Sequence, residues 1–330
     1  MRVHGWVRDG STMGQIDEMR LMVRVARMYY EREMSQSAIA GQLGLSQATV
    51  SRLFQRAKDE GVIRITVSAP QGVYAELEER LIDRYKLRDA IVVDSIRDDD
   101  EKVVIRELGA AASYYLESVI KPNDVIGLSS WSSTLLALVD ALHPIPRRAD
   151  VRVLQILGGV GNPSAETHAN RLTSRFADRV GGTAVFLPAP GIIGSEAARQ
   201  VLLDDAYVRQ VMSLFDRVTL ALVGIGTVEP SSLLAASGNI FSAQEQHLLQ
   251  SYKAVGDILL HFFDRDGKTV KTFLDKRVVS MSLEQLRCVD RAIGVAGGKR
   301  KVDAIRGALN GRWINVLITD QLTAERLIQA

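Results

Sequence analysis

Between Ser35 and Lys58 the chain carries hydroxyls, amides and guanidinium groups but no carboxylate. Ser46, Gln47, Thr49, Ser51, Arg52, Gln55 and Arg56 fall on the polar face of a helix. Its other face is Val50, Leu53, Phe54 and Ala57, at i, i+3, i+4 and i+7. Short hydrogen-bonding side chains beside arginines are the chemistry that reads base edges and grips phosphates of duplex DNA. Gln47, Thr49 and Arg52 are placed to read bases. Arg56 and Lys58, with Arg64 on a following strand-like run, are placed to meet phosphates. Ser46 can also cap the helix by accepting a backbone N–H. An ordinary helical hairpin in a core would share the apolar spacing, but it would have no use for this polar face.

A second concentration of chemistry lies in glycine- and hydroxyl-bearing loops at 127–134, 158–161, 224–227 and 296–298, each following an apolar run. In the first, Ser129, Ser130, Ser133 and Thr134 precede Leu135-Leu-Ala-Leu. They offer hydroxyls and backbone N–H groups at a helix start, which suits phosphate or another anion. Gly158 and Gly159 belong to the second loop. Any one loop could be a tight turn with a capping hydroxyl; four at one end of a sheet point to a crevice. Trp131 could stack on a ligand or anchor its loop by burial. His168 and Asn170 could line the crevice or serve a cap or core. A dinucleotide fingerprint fails, because Gly159-Val-Gly161 and Gly224-Ile-Gly226 lack the third glycine, and no phosphate loop of the GxxxxGK[ST] type occurs.

Positioning these groups takes two kinds of element. Ile39, Ala40, Leu43 and Leu45 face inward from a first helix and turn, and Gly44 supplies the positive φ that lets the helices meet steeply. A leading helix over 17–31 sets Leu21, Val25 and Met28 on one face, with Met22 flanking. The β-branched run 62–67 reads as a wing. Pro70 and Gly72 break the chain. Val73, Leu77 and Leu81 then repeat on a charged helix, either a linker or a dimer seam. Beyond it, strand-like runs at 90–93, 125–128, 151–157, 184–187, 218–223, 258–263, 289–295 and 314–318 alternate with amphipathic stretches such as 104–116, 134–142 and 166–180. That alternation predicts a parallel sheet covered on both faces. The expected organisation is a flexible tail (1–16), a winged helix-turn-helix (17–68), a linker helix (69–88) and a larger α/β domain (89–330).

The 330 residues are 46% hydrophobic and 24% charged with a net charge of +2, so basicity is local rather than global. Residues 1–68 hold ten Lys/Arg against seven Asp/Glu. The single Cys288 excludes an intrachain disulfide and a cysteine-based zinc site, and suits a reducing cytoplasm. No run is long enough for a membrane span, and no signal core is present, so a cytoplasmic chain with no membrane partner is expected. A helix-turn-helix contacting a short half-site implies a symmetric, at least dimeric, species on double-stranded operator DNA.

The chain resembles the SorC family of bacterial sugar-responsive transcriptional regulators over about residues 17–330. The likeness is carried by the helix-turn-helix at 35–54, the loop 127–134, Leu157-Gly-Gly-Val-Gly161 with Ala169-Asn-Arg-Leu, Leu187-Pro-Ala-Pro190, Ala254-Val-Gly-Asp-Ile258 and Ala296-Gly-Gly-Lys-Arg-Lys-Val-Asp-Ala-Ile305. It implies a winged DNA-binding domain and a Rossmann-like effector domain related to sugar-phosphate isomerases and deaminases. It also implies a homotetramer responsive to a sugar phosphate or polyol, a role in carbohydrate catabolism, and no catalysis, cofactor or metal. By position, Ser133 and Thr134 would hold the phosphate, Lys301 would supply countercharge and Asp257 would accept from sugar hydroxyls. Ser132 stands where the family loop often has a glycine. Asp257 and Lys301 could instead be surface ion-pair partners, and Lys299 and Arg300 compete with Lys301 for its role. The alternative is a sugar-phosphate isomerase or deaminase-like enzyme fused to a DNA-binding module, with Asp257 as its base.

Overall fold

Periodicity of apolar residues decides both architectures of this chain. The structure, a computed structural model, describes residues 10–60, 62–63, 73–94, 100–145 and 150–329. The expected wing beyond Ile63, and Arg64 with it, lies outside the described residues. The chain divides into two compact units, Met1–Ser68 and Ala69–Ala330.

In the first unit, helices α1 (Gly10–Tyr30), α2 (Gln36–Leu43) and α3 (Gln47–Asp59) enclose one core. Met22, Val25, Met28, Ile39, Ala40, Val50, Leu53, Phe54 and Ala57 fill it. Each large side chain buried there contributes about 1.5–3 kcal/mol. Met22 is buried and Leu21 only partly so, the reverse of the expected assignment. Residues 10–16, expected as tail, are helical. The stretch holds no proline, and extending a formed helix costs little per residue. Ser35 caps α2 and Ser46 caps α3, and between them Gly44 sits at φ +64° with its N–H bonded to the Ala40 carbonyl. Val62 and Ile63 form bends packed on this core rather than the start of a strand.

The second unit opens with α4 (Ala75–Tyr85), and strand β1 (Asp89–Val93) follows. Next come α5 (Glu101–Val119), β2 (Val125–Leu128), α6 (Ser133–Ala141), β3 (Arg152–Gln155), α7 (Pro163–Val180) and β4 (Thr183–Val185). Helices α8 (Glu196–Leu203) and α9 (Ala206–Met212) lead to β5 (Leu220–Gly224), α10 (Ser232–Ser237) and α11 (Ala243–Ser251). The chain ends with β6 (Gly256–Ile258), β7 (His261–Phe263), α12 (Leu283–Arg287), β8 (Arg291–Val295), α13 (Val302–Asn310), β9 (Val316–Asp320) and α14 (Gln321–Gln329).

One parallel sheet runs β1-β9-β8-β5-β2-β3-β4. Alternate residues of its central strands enter two different cores: Ala221, Val223, Ala292 and Leu317 one, Leu220, Leu222, Ile293 and Ile318 the other. The sheet is therefore covered on both faces, as its unbroken apolar runs demand. From β2 the chain winds outward through β3 to β4, then returns to β5 on the other side and continues to β8 and β9. The β2–β5 boundary is thus the switch point, where open α/β sheets place ligands at the carboxyl ends of the strands.

Two expectations change here. The run 258–263 is not a sheet strand but the hairpin β6–β7, reversed by Leu259 and Leu260 at φ +56° and +66°. Leucine rarely adopts that conformation, so the apolar spacing held no turn signal. Helix α4, expected as a linker or a dimer seam, packs on the second unit's own core. Leu81 is fully buried, Leu77 packs on the same core, and the Tyr85 hydroxyl donates to the Leu327 carbonyl at 2.9 Å. Only Val73 of that stripe stays exposed.

Candidate functional site

Helix starts converge where the switch point opens. Ser132 caps α6 by accepting the Leu135 N–H, which sets Ser133 and Thr134 in its first turn. After β5, Ser231 caps the short α10 by accepting the Leu234 N–H. After β8, Lys301 stands immediately before α13. These segments, with the β6–β7 hairpin, enclose a narrow open crevice of about 60 Å³. Its lining brings together Ser129, Ser133, Thr134, Asp257 and Lys301. It also holds Ser132, Gly226, Thr227, Pro230, Ser231 and a floor of Leu157, Leu259 and Leu260.

Asp257 is buried, its main chain bonded both ways to Gly226 and its Oδ2 accepting the Leu260 N–H at 3.0 Å. Burial pushes its carboxyl up to about 6, against the opposing pull of that hydrogen bond and of Lys301 and His261. Burial likewise lowers Lys301, while the carboxylates of Glu101 and Asp257 favour its charge and Arg300 opposes it. Asp257 and Lys301 are the titratable side chains of the described lining. The crevice therefore offers hydroxyls, helix-start N–H groups, one ammonium and one carboxylate over an apolar floor. That set suits an anionic group at one end of a ligand and hydroxyls at the other.

Other expected ligands of this site stand apart from it. Ser130 is buried and donates to the Leu157 carbonyl at 2.7 Å. Gly158 and Gly159 are packed into the adjoining loop. A Cβ on Gly158 would lie 2.4 Å from Pro190, and one on Gly159 would lie 2.6 Å from Gln155 Oε1. Their smallness serves packing rather than a ligand. Trp131 borders the crevice, yet it is buried and donates its indole N–H to the Gly158 carbonyl at 2.9 Å, which pins the loop. Asn170 accepts from the buried Gln155 amide at 3.2 Å, a core role. Of the basic trio, Lys301 alone lines the crevice. Arg300 sits at the rim, 3.2 Å from Glu101 and 4.0 Å from Glu229. Thr227 was legible in the glycine loop 224–227, whereas Ser231, Leu259 and Leu260 were not singled out by the sequence.

In the first unit, Gln47, Ser51, Arg52, Gln55, Arg56 and Lys58 are exposed on α3 opposite its buried face. Thr49 is partly buried beside Ser46, whose Oγ accepts the Thr49 N–H at 3.1 Å. Arg56 is held by Glu18 of α1 and by Glu60, and those hydrogen-bonded carboxylates raise its pKa further. Gln55 donates to Asp59 at 3.0 Å. Among the described residues no cluster of His, Cys, Asp and Glu is arranged to hold a metal, and no helix is long and apolar enough to cross a membrane.

Residues 70–329 match the family described as "Putative sugar-binding domain", and residues 30–64 match "Winged helix-turn-helix DNA-binding". The chain is 33% identical to the deoxyribonucleoside regulator of Bacillus subtilis, across 94% of this chain and 98% of that one. It is also 33% identical to the erythritol catabolism regulatory protein of Brucella abortus, across 93% and 96%. The crystal structure of the full-length sorbitol operon regulator SorC of Klebsiella pneumoniae superposes with a TM-score of 0.72 at 29% identity, covering 94% of this chain and 98% of that one.

Proposed function

Because the chain belongs to the SorC family of sugar-binding transcriptional regulators, we propose that a phosphorylated sugar or polyol in the crevice controls its affinity for operator DNA. The family is one of DNA-binding regulators, among them proteins named for sorbitol, erythritol and deoxyribonucleosides. The phosphate lies against Ser133, Thr134 and the ammonium of Lys301, and the sugar hydroxyls lie against Asp257. The observation that carries this reading is the convergence of a serine- and threonine-bearing helix start with a lysine and a buried carboxylate in one crevice. Gln47, Thr49 and Arg52 read base edges, while Arg56 and Lys58 meet phosphates, and the active species is a symmetric homo-oligomer in the cytoplasm. The crevice binds its ligand without turning it over. The ligand controls DNA binding only if it favours one quaternary state, since equal affinity for both shifts nothing.

Calorimetry with matched pentose, hexose and polyol monophosphates and their unphosphorylated counterparts tests this. Phosphorylated members should bind at least tenfold tighter, a difference lost in Lys301→Met, while that variant keeps its DNA affinity without effector. Equal binding of both forms by the native chain would overturn the phosphate assignment.

A further inference from the structure

The leading helix carries charge that neither the recognition helix nor the crevice uses. Arg20, Arg24 and Arg27 stand at i, i+4 and i+7, so they share one face of α1, and Arg32 follows in the turn before α2. All four are exposed, and together with Gln42 of α2 they line a groove of about 260 Å³ whose other walls are Val23 and Met28. Among the described residues no carboxylate lines it. Arg27 donates to Glu31 at 2.8 Å, an exposed i, i+4 pair at the end of α1. The unit's core draws on Met22 and Val25 from the opposite side of α1, with the buried Met28 at the boundary between core and groove.

We propose that this groove is a second DNA-contacting surface, in which Arg20, Arg24, Arg27 and Arg32 seat the sugar-phosphate backbone flanking the segment read by α3. From Arg20 to Arg27 the helix rises about 10 Å, the axial length over which one DNA strand presents about three phosphates. Guanidinium forks fit phosphate oxygens in pairs, and Val23 and Met28 provide an apolar bed for the arginine stems. Gln42 lies two residues before the Gly44 turn that feeds α3, so the groove reaches the part of the unit that enters the major groove. A second copy of the same groove is a poor occupant, because its arginines would meet like charge.

The inference rests on the DNA-binding reading of α3, and the test separates the two. Phosphate contacts are indifferent to sequence, so a mixed-sequence duplex of about four helical turns serves as probe for the full chain. Arg24→Ala should weaken binding about fivefold to tenfold near 0.1 M salt and flatten the log K–log salt slope by about one per engaged groove. Arg24→Lys should restore most of the slope. Lys58→Ala on α3 is the reference. If it weakens binding while Arg24→Ala and the Arg20→Ala/Arg24→Ala pair leave affinity and slope unchanged, the groove assignment fails alone. If none of these variants matters, the DNA reading of α3 fails with it. A fall in sedimenting mass for the groove variants, with an unchanged slope, would identify an interface between copies and overturn the proposal.

Discussion

Gly226 and Asp257 exchange two backbone hydrogen bonds, Gly226 N–H to the Asp257 carbonyl at 3.0 Å and Asp257 N–H to the Gly226 carbonyl at 3.2 Å. The Asp257 carboxylate folds back over the glycine so closely that a Cβ there would fall 2.1 Å from Oδ1. The bare backbone at 226 thus lets a carboxylate from the hairpin reach the crevice opened by β5. Gly226→Ala must push that carboxylate away. A hydrogen bond to a charged group is worth about 1.5–3 kcal/mol, so effector affinity should fall about tenfold or more. DNA affinity without effector should not change. Calorimetry and anisotropy on the same preparation check both, and an effector affinity within twofold of the native chain would remove Asp257 from the binding set.

The raised carboxyl of Asp257 also predicts a pH signature. Its folded value near 6 exceeds the ordinary 3.8, so the folded state holds the proton more tightly than the unfolded chain. Below about pH 4 both states are protonated and no cost arises. Between about 4 and 6 the unfolded chain ionises first, and stability declines by about 1.4 kcal/mol per pH unit. Above 6 the cost is constant, on the order of 2–3 kcal/mol. Asp257→Asn removes this dependence, so its stability relative to the native chain should improve from pH 4 to pH 7. Paired denaturant melts at the two pH values measure the difference. A constant difference would mean that the carboxyl titrates normally.

Much of this was legible because it is periodic. Val50, Leu53, Phe54 and Ala57 announce α3 through spacing, and the apolar runs of β2, β5, β8 and β9 announce strands buried on both faces. Ser133, Thr134, Asp257 and Lys301 were found by residue type and by resemblance, and the fold brings them together. What stayed hidden depends on contacts distant in sequence. Nothing local distinguishes Ser130, consumed by the Leu157 carbonyl, from Ser133, which faces the crevice. Gly158 and Gly159 look like ligand-cradling glycines until Pro190 and Gln155 are seen against them. The Leu259-Leu260 reversal stayed hidden because leucine rarely takes positive φ; burial of both side chains and the Asp257 carboxylate, which accepts the Leu260 N–H, hold it.

Ser46 links fold and reading face in one side chain. Its Oγ accepts the Thr49 N–H at 3.1 Å and shares a hydrogen bond with Thr49 Oγ1 at 2.8 Å, closing the first turn of α3. Ser46→Ala should cost about 0.5–2 kcal/mol of the first unit's stability, and Ser46→Asp should recover most of it. Aspartate restores the cap but puts a negative charge near DNA. The two variants should therefore diverge, with Ser46→Asp the more stable and the weaker binder. Thermal melts and duplex titrations of both variants decide this. Equal melting of native and Ser46→Ala proteins would show that the cap carries no stability.

Arg56 reaches toward two carboxylates, Glu18 from α1 and Glu60 at the end of its own helix, so its charge is already matched before any DNA arrives. To meet a phosphate it must exchange these partners. All three side chains are substantially exposed, and exposed pairs are weak enough for a phosphate to compete. Glu18→Gln leaves a neutral hydrogen-bonding partner of the same shape but removes one competitor and one like charge facing the duplex. Affinity for a mixed-sequence duplex should rise about fivefold to tenfold near 0.1 M salt, and the salt slope should steepen by about one per engaged unit. Arg56→Ala in the Glu18→Gln background should cancel the gain. Anisotropy titrations at several salt concentrations read both quantities. A gain that survives Arg56→Ala would assign the effect to Glu18 alone and place Arg56 outside the phosphate contacts.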